Sequence, residues 1–213
     1  MKKVLPFLLL TALLTTGCGI SGNDNSYALE NEVPANTSED TTQPTYDFEI
    51  PKSARATLKT NHGEIVINFF PQDAPITVNN FIVLAQSDFY DGVKFHRVIP
   101  NFMIQTGDPN SKDDNWLDDG TGGSGKTFKD EINGKKHVRG IVSMANRGAN
   151  TNDSQFFIMT GESAPHLDSR HTIFGEVVEG MDVVDTIEAL PVNPYDHPTQ
   201  DAIIEDIVLE IMY

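Results

Sequence analysis

The chain has 213 residues, 38% of them hydrophobic, with 31 Asp and Glu against 15 Lys and Arg and a formal charge of −16 at pH 7. That length suits one globular domain with appendages. An acidic balance of this size excludes recognition of nucleic acid or anionic lipid through a basic face, because phosphate contacts need clustered Lys and Arg.

Residues 1–17 read as an export signal, with Lys2 and Lys3 as a positive start, an apolar run over 4–14 and the small residues Thr15-Thr16-Gly17 before Cys18. The apolar run is too short to span a bilayer, which takes roughly 20 residues. The stretch Leu13-Leu14-Thr15-Thr16-Gly17-Cys18-Gly19 resembles the lipobox of bacterial lipoproteins, although Thr15 replaces the usual Leu. The resemblance implies a lipid on Cys18 and a place on the extracytoplasmic face of a bacterial membrane. Cys18 is the only cysteine, so it has no internal disulfide partner. From 19 to 51 the chain carries seven acidic residues and no Lys or Arg. Residues 18–52 are therefore expected to be an extended, self-repelling tether.

The globular domain is expected over 53–213. Residues 56–60 and 64–70 predict a hairpin around Asn61-His62-Gly63, with Gly63 free to take a positive φ. Pro75 opens a helix whose apolar face is Val78, Phe81, Ile82 and Ala85. Short strands are predicted at 93–98, 102–105, 141–144, 155–159 and 172–178, a second helix at 181–189, and a final alternating strand at 207–213. Many short strands with two helices point to a mainly β domain, a closed antiparallel barrel or a sandwich.

Three familiar chemistries are set aside. The run Gly120-Thr121-Gly122-Gly123-Ser124-Gly125-Lys126-Thr127 fits nucleotide-loop patterns, but no apolar strand precedes it and Asp113, Asp114, Asp118 and Asp119 would repel a triphosphate. No histidine pair has a metal-ligand spacing, and His166 and His171 are five apart, so no metal is expected. Ser154 lacks the glycines of a hydrolase elbow. No cofactor is expected either.

What remains is Arg97 in the apolar run Phe95-His96-Arg97-Val98-Ile99-Pro100-Asn101-Phe102-Met103-Ile104-Gln105-Thr106-Gly107-Asp108, and the second run Met144-Ala145-Asn146 through Ser154-Gln155-Phe156-Phe157. A guanidinium in partly desolvated surroundings, with no nucleophile beside it, suits a reaction that breaks no covalent bond. Together the two runs resemble the cyclophilin family of peptidyl-prolyl cis/trans isomerases. The resemblance covers about residues 54–213 and implies a closed eight-stranded antiparallel β-barrel capped by two α-helices. It also implies that Arg97 is catalytic and that Phe102, Met103, Phe157 and Leu167 hold the proline ring. Gln105 would orient Arg97, Ala145 and Asn146 would pair with the peptide main chain, and Gln155 and His171 would line the groove. His96 is read as buried and structural. His166 stands where a tryptophan commonly meets cyclosporin, so cyclosporin binding is expected to be weak. The expected partners are extended proline-containing polypeptides, and the protein is expected to be monomeric. A non-catalytic module that captures such segments is the alternative reading.

Overall fold

The computed structural model describes residues 46–213; the expected signal segment, Cys18 and the tether as far as residue 45 lie outside the described residues. Strand β1 (Ser53–Thr60) turns into β2 (Gly63–Phe69) through Asn61 and His62, with Thr60 opposite Gly63. Gly63 has φ +128°, and a Cβ there would come within 2.8 Å of Val183 Cγ2, so the turn needs glycine on both counts.

Helix α1 (Pro75–Gln86) begins on a proline, which has no N–H to leave unbonded. The next two N–H groups, of Ile76 and Thr77, donate to the Glu131 carboxylate at 3.0 and 2.8 Å. A carboxylate 54 residues away thus caps the positive end of the helix. Val78, Phe81, Ile82 and Ala85 are buried as their spacing predicts. Phe81 stacks among Phe69, Tyr90 and Phe156 at 4.9, 5.0 and 5.5 Å between ring centroids. Each such ring stabilises the fold by roughly 1.5–3 kcal/mol through burial alone.

The remaining elements are β3 (Arg97–Ile99), β4 (Met103–Thr106), β5 (Ile141–Met144), β6 (Phe156–Met159), β7 (Ile173–Glu179), α2 (Met181–Glu188) and β8 (Ile204–Met212). All eight strands form one antiparallel sheet in the order β3-β4-β6-β5-β7-β2-β1-β8. The expected closed barrel is corrected here to an open one. Among the described residues no ladder joins β3 to β8; the seam carries a single bridge between Lys94 and Ile203, with Phe95 N donating to Ala202 O, Ile204 N to Val93 O and Gly92 N to Ile204 O, each at 2.8 Å. Hydroxyl groups end the ladder between β3 and β4. Ser111 Oγ accepts from Lys94 N at 3.0 Å and Thr106 Oγ1 donates to Lys94 O at 3.0 Å, so the polar groups that would extend β3 backwards are already satisfied. This is also why the strand expected at 93–98 shrinks to Arg97–Ile99.

Strands β5 and β6 are buried at every residue because both faces of this part of the sheet are covered. Phe156 and Ile158 point into the main core with Val142, Ile104 and Phe174. Phe157 and Met159 point the other way, into a smaller cluster with Met103, Ile141 and Ile173, against which Phe102, Ala145 and Leu167 pack. That outer cluster carries the site.

Candidate functional site

Strand register aligns one residue from each of four strands. Arg97 lies opposite Gln105, Gln105 opposite Phe157, and Phe157 opposite Ser143. Directly paired residues share a face of the sheet, at strand spacings of about 4.8 Å. A cation, an amide, an aromatic ring and a buried hydroxyl therefore stand in a row. The expected site residues gather around it. Arg97, Phe102, Met103, Gln105, Ala145, Asn146, Phe157, Leu167 and His171 line one cavity of about 270 Å³. Gln155 is not in that wall; it lines an adjoining cavity with Gln105, Ala145 and Asn146. His166 is outside both, with its ring stacked on Phe102 at 5.7 Å.

A chain of amides sets the guanidinium. Gln155 Nε2 donates to the Gly122 carbonyl at 2.8 Å and to Asp108 Oδ2 at 3.2 Å. Both are acceptors only, so Gln155 must turn its oxygen to Gln105, whose Nε2 donates to it at 2.9 Å. Gln105 Oε1 then faces Arg97 Nη1 at 3.5 Å. The head of Arg97 is otherwise open, with 45% of its side chain exposed and Asp196 Oδ2 at 3.9 Å from Nε. His96, next in the chain, points inward and is 4% exposed. Burial pushes its pKa down to about 4, so it is neutral at pH 7 and unsuited to donate a proton there.

The peptide-facing backbone is partly spoken for. Ala145 N donates to Gln155 O at 3.0 Å, which leaves the Ala145 carbonyl and the Asn146 main chain as the groups able to pair with an extended ligand. The Asn146 side chain is held away by the Arg170 carbonyl at 2.9 Å. His171 Nδ1 donates to the Met144 carbonyl at 2.9 Å, and its ring meets Phe157 edge-on at 5.6 Å. An apolar cleft of this size accepts a pyrrolidine ring, and the guanidinium at its mouth can donate to an amide nitrogen whose lone pair has been localised. Rotation of an X–Pro bond otherwise meets a barrier of roughly 18–20 kcal/mol.

The family profile described as cyclophilin type peptidyl-prolyl cis-trans isomerase/CLD matches residues 55–209. The chain belongs to the cyclophilin-type peptidyl-prolyl isomerase family. Among curated relatives, peptidyl-prolyl cis-trans isomerase-like 3 of Gallus gallus is 46% identical over 159 residues, covering 72% of this chain and 94% of that protein. Peptidyl-prolyl cis-trans isomerase-like 2 of Gibberella zeae is 45% identical over 168 residues, covering 75% of this chain; the match spans only 28% of that longer protein. The crystal structure of a Cryptosporidium parvum cyclophilin-type isomerase superposes with a TM-score of 0.68 at 36% identity, over 74% of this chain and 98% of that one. A second structure of the same protein, in the presence of the dipeptide Ala-Pro, gives a TM-score of 0.67 at 36% identity, over 73% of this chain and 98% of that one.

In this cyclophilin domain the glycine-rich run is the reverse of a phosphate cradle. Asp153 accepts from Ser124 N at 2.6 Å and Gly125 N at 3.1 Å, and Asp108 accepts from Gly122 N at 3.0 Å. Carboxylates occupy the N–H groups that a nucleotide would need. A Cβ at Gly122 would run into Asp108 Oδ1, so glycine is needed there for close approach.

Sequence reasoning missed the support behind Phe157. His137 is 1% exposed, stacks on Phe157 at 6.1 Å, and bonds through Nδ1 to Asp168 Oδ1 and through Nε2 to Ser143 Oγ, both at 3.0 Å. The geometry resembles a hydrolase triad, but Ser143 is fully buried and donates to the Thr172 carbonyl at 2.9 Å, so no substrate reaches it. Hydrogen bonds from His137 hold the Asp168 carboxyl well below the usual carboxylate range. Burial lowers the pKa of His137 itself. No motif spacing signals this trio, whose members lie 6 and 31 residues apart.

Proposed function

We propose that the chain catalyses cis/trans isomerisation of prolyl bonds in extended segments of exported or surface polypeptides. It works as a monomer from the extracytoplasmic face of a bacterial membrane, tied there by a lipid on Cys18. One observation carries the catalytic part: the Arg97 guanidinium stands at the mouth of an apolar cavity, oriented from behind by Gln105. An enzyme of this kind needs a donor stronger in the twisted state than in the planar one, and no covalent intermediate. The dipeptide used with the Cryptosporidium parvum relative is consistent with a proline ligand. Support for the anchor is the basic and apolar start followed by Thr16-Gly17-Cys18, and the acidic stretch behind it is the tether.

Two measurements test this. The full chain should accelerate exchange between cis and trans forms of a proline peptide in two-dimensional NMR; a chain that binds the peptide without accelerating exchange is a capture module instead. In a bacterial host the protein should partition with membranes, and Cys18→Ala should release it or stall its processing. A fully processed Cys18→Ala form that stays membrane-bound defeats the anchor.

A further inference from the structure

Arg97 and Gln105 are shared by two cavities. Beyond the cleft already described lies a second one of about 380 Å³, whose far wall is Trp116, Asp119, Tyr195 and His197 and whose floor includes His96. Nothing in the isomerisation argument uses it. Trp116 and Tyr195 are 38% and 73% exposed, unusual for rings of this size, and they stand 5.6 Å apart at 37°. Trp116 also meets His197 at 5.8 Å.

Polar groups here lack partners, and acceptors outnumber donors among them. Asp119 has a 5% exposed side chain and bonds His197 Nε2 through Oδ2 at 3.0 Å, while its Oδ1 has no partner. Both ring nitrogens of the buried His96 lack partners too. A neutral imidazole keeps one nitrogen as an acceptor and the other as an N–H donor. Two buried acceptors without donors are costly to leave so, by about 1–3 kcal/mol each. The surrounding charge has the same sense. Asp113, Asp114 and Asp118 flank Trp116 in sequence, and Asp196 follows Tyr195. Of the nearby cations, Lys94 is engaged, 3.1 Å from Asp201 and 3.7 Å from Asp114, while Arg97 borders the cavity with its head open and Asp196 3.9 Å from its Nε.

We infer that this cavity is a specificity subsite for an arginine or lysine side chain carried by the peptide within about three residues of the proline, a reach set by roughly 3.3–3.6 Å per extended residue. The inference rests on the reading of the neighbouring cleft as the proline pocket. A side chain of this class brings donors only, which suits acceptors without partners, and its charge lies over the faces of Trp116 and Tyr195. Its aliphatic stem covers the exposed rings. Acidic, aliphatic and aromatic side chains lack one or more of these matches.

Trp116 is the only tryptophan in the chain, so its emission reports occupancy of this cavity directly. Six-residue alanine-based peptides with one proline are titrated against the full chain, with Arg, Lys, norleucine, Phe or Glu placed in turn at each remaining position. At the best position the Arg and Lys peptides should saturate the emission change at concentrations about 5- to 20-fold below norleucine, the range expected of a cation stacked on indole and faced by a carboxylate. The margin should shrink as salt rises. Asp119→Asn, which keeps the reporter, should bring the Arg-to-norleucine ratio close to one, and a ratio within one protein cancels any general loss of fold or turnover. Norleucine or Phe peptides that titrate as tightly as Arg overturn the inference, as does a preference that survives Asp119→Asn. NMR exchange on the same peptides separates the two readings. Accelerated exchange with no cationic preference removes the subsite and leaves the isomerase; a cationic preference in emission without accelerated exchange removes the isomerase and leaves the subsite.

Discussion

Gln155 donates to the Asp108 carboxylate at 3.2 Å, and that bond decides which end of a more distant amide faces Arg97. Asp108 is fully buried, and it also takes the N–H of Gly122 and Asn110. Because it only accepts, the polarity of Gln155, then of Gln105, then of the contact with Arg97 follows without freedom.

Gln155→Leu should therefore weaken catalysis through Arg97 without touching the proline cleft. A loss of about tenfold in kcat/KM is expected, mostly in kcat, as for a misplaced but intact catalytic group. In a double-mutant cycle with Arg97→Ala the losses should fail to add, because the second change removes the group through which the first acts. Additive losses would mean that Gln155 has a separate role.

Arg97→Ala should lower kcat/KM by roughly 10²–10³, the effect of removing one preorganised donor. Arg97→Lys should recover little, since an ammonium cannot reproduce the planar fork. Thermal unfolding of both variants should stay within about ±0.5 kcal/mol of the parent, because the side chain is 45% exposed and its ionic contact to Asp196 is long at 3.9 Å. Near-parental turnover in a folded Arg97→Ala protein would refute the assigned role.

His96 makes stability depend on pH. Its folded pKa is depressed to about 4 from 6.5, so below 6.5 the unfolded chain takes up a proton that the folded protein refuses. The folded state should lose stability as pH falls from about 6.5 to 4, by up to about 3 kcal/mol from this residue. His137 is shifted in the same direction and adds to the slope. His96→Leu should flatten the fall, measured as midpoint temperatures by circular dichroism between pH 7 and 4. An unchanged slope would place the proton elsewhere.

His166→Trp should tighten inhibition by cyclosporin while leaving turnover on a proline peptide within a small factor. Imidazole stacked on Phe102 offers less apolar area than indole would, and no indole N–H. Equal inhibition of both forms would show that this position does not meet the inhibitor.

The helices and the first hairpin were legible in the sequence because their signals are local: a proline and a 3.6-residue apolar face for α1, a turn glycine between β1 and β2. Strand β3 was not, because what ends it is the pair of hydroxyls on Ser111 and Thr106, which no local pattern connects to Lys94. The start of β8 was hidden by Glu205 and Asp206, whose polarity interrupts the alternation while Ile204 is fully buried. The residues that line the cleft were picked out by the family resemblance of two continuous runs, with Leu167 and His171 outside them, and the fold brings all of these together. The amide relay and the buried His137 and Ser143 with Asp168 were not legible, since they are joined by strand register and by bonds between residues no motif connects.

Strands β1 and β8 lie side by side, with Ser53 opposite Met212. A chain made and delivered from its N-terminus therefore leaves β1 with one bare edge until residues 204–212 have emerged, nearly the whole domain later. Local pairs such as β1 with β2 form first, and the closing contact has the largest sequence separation in the sheet. Completion of this sheet therefore waits on residues 204–212. Until then the domain is itself a client for whatever holds unpaired strand edges apart.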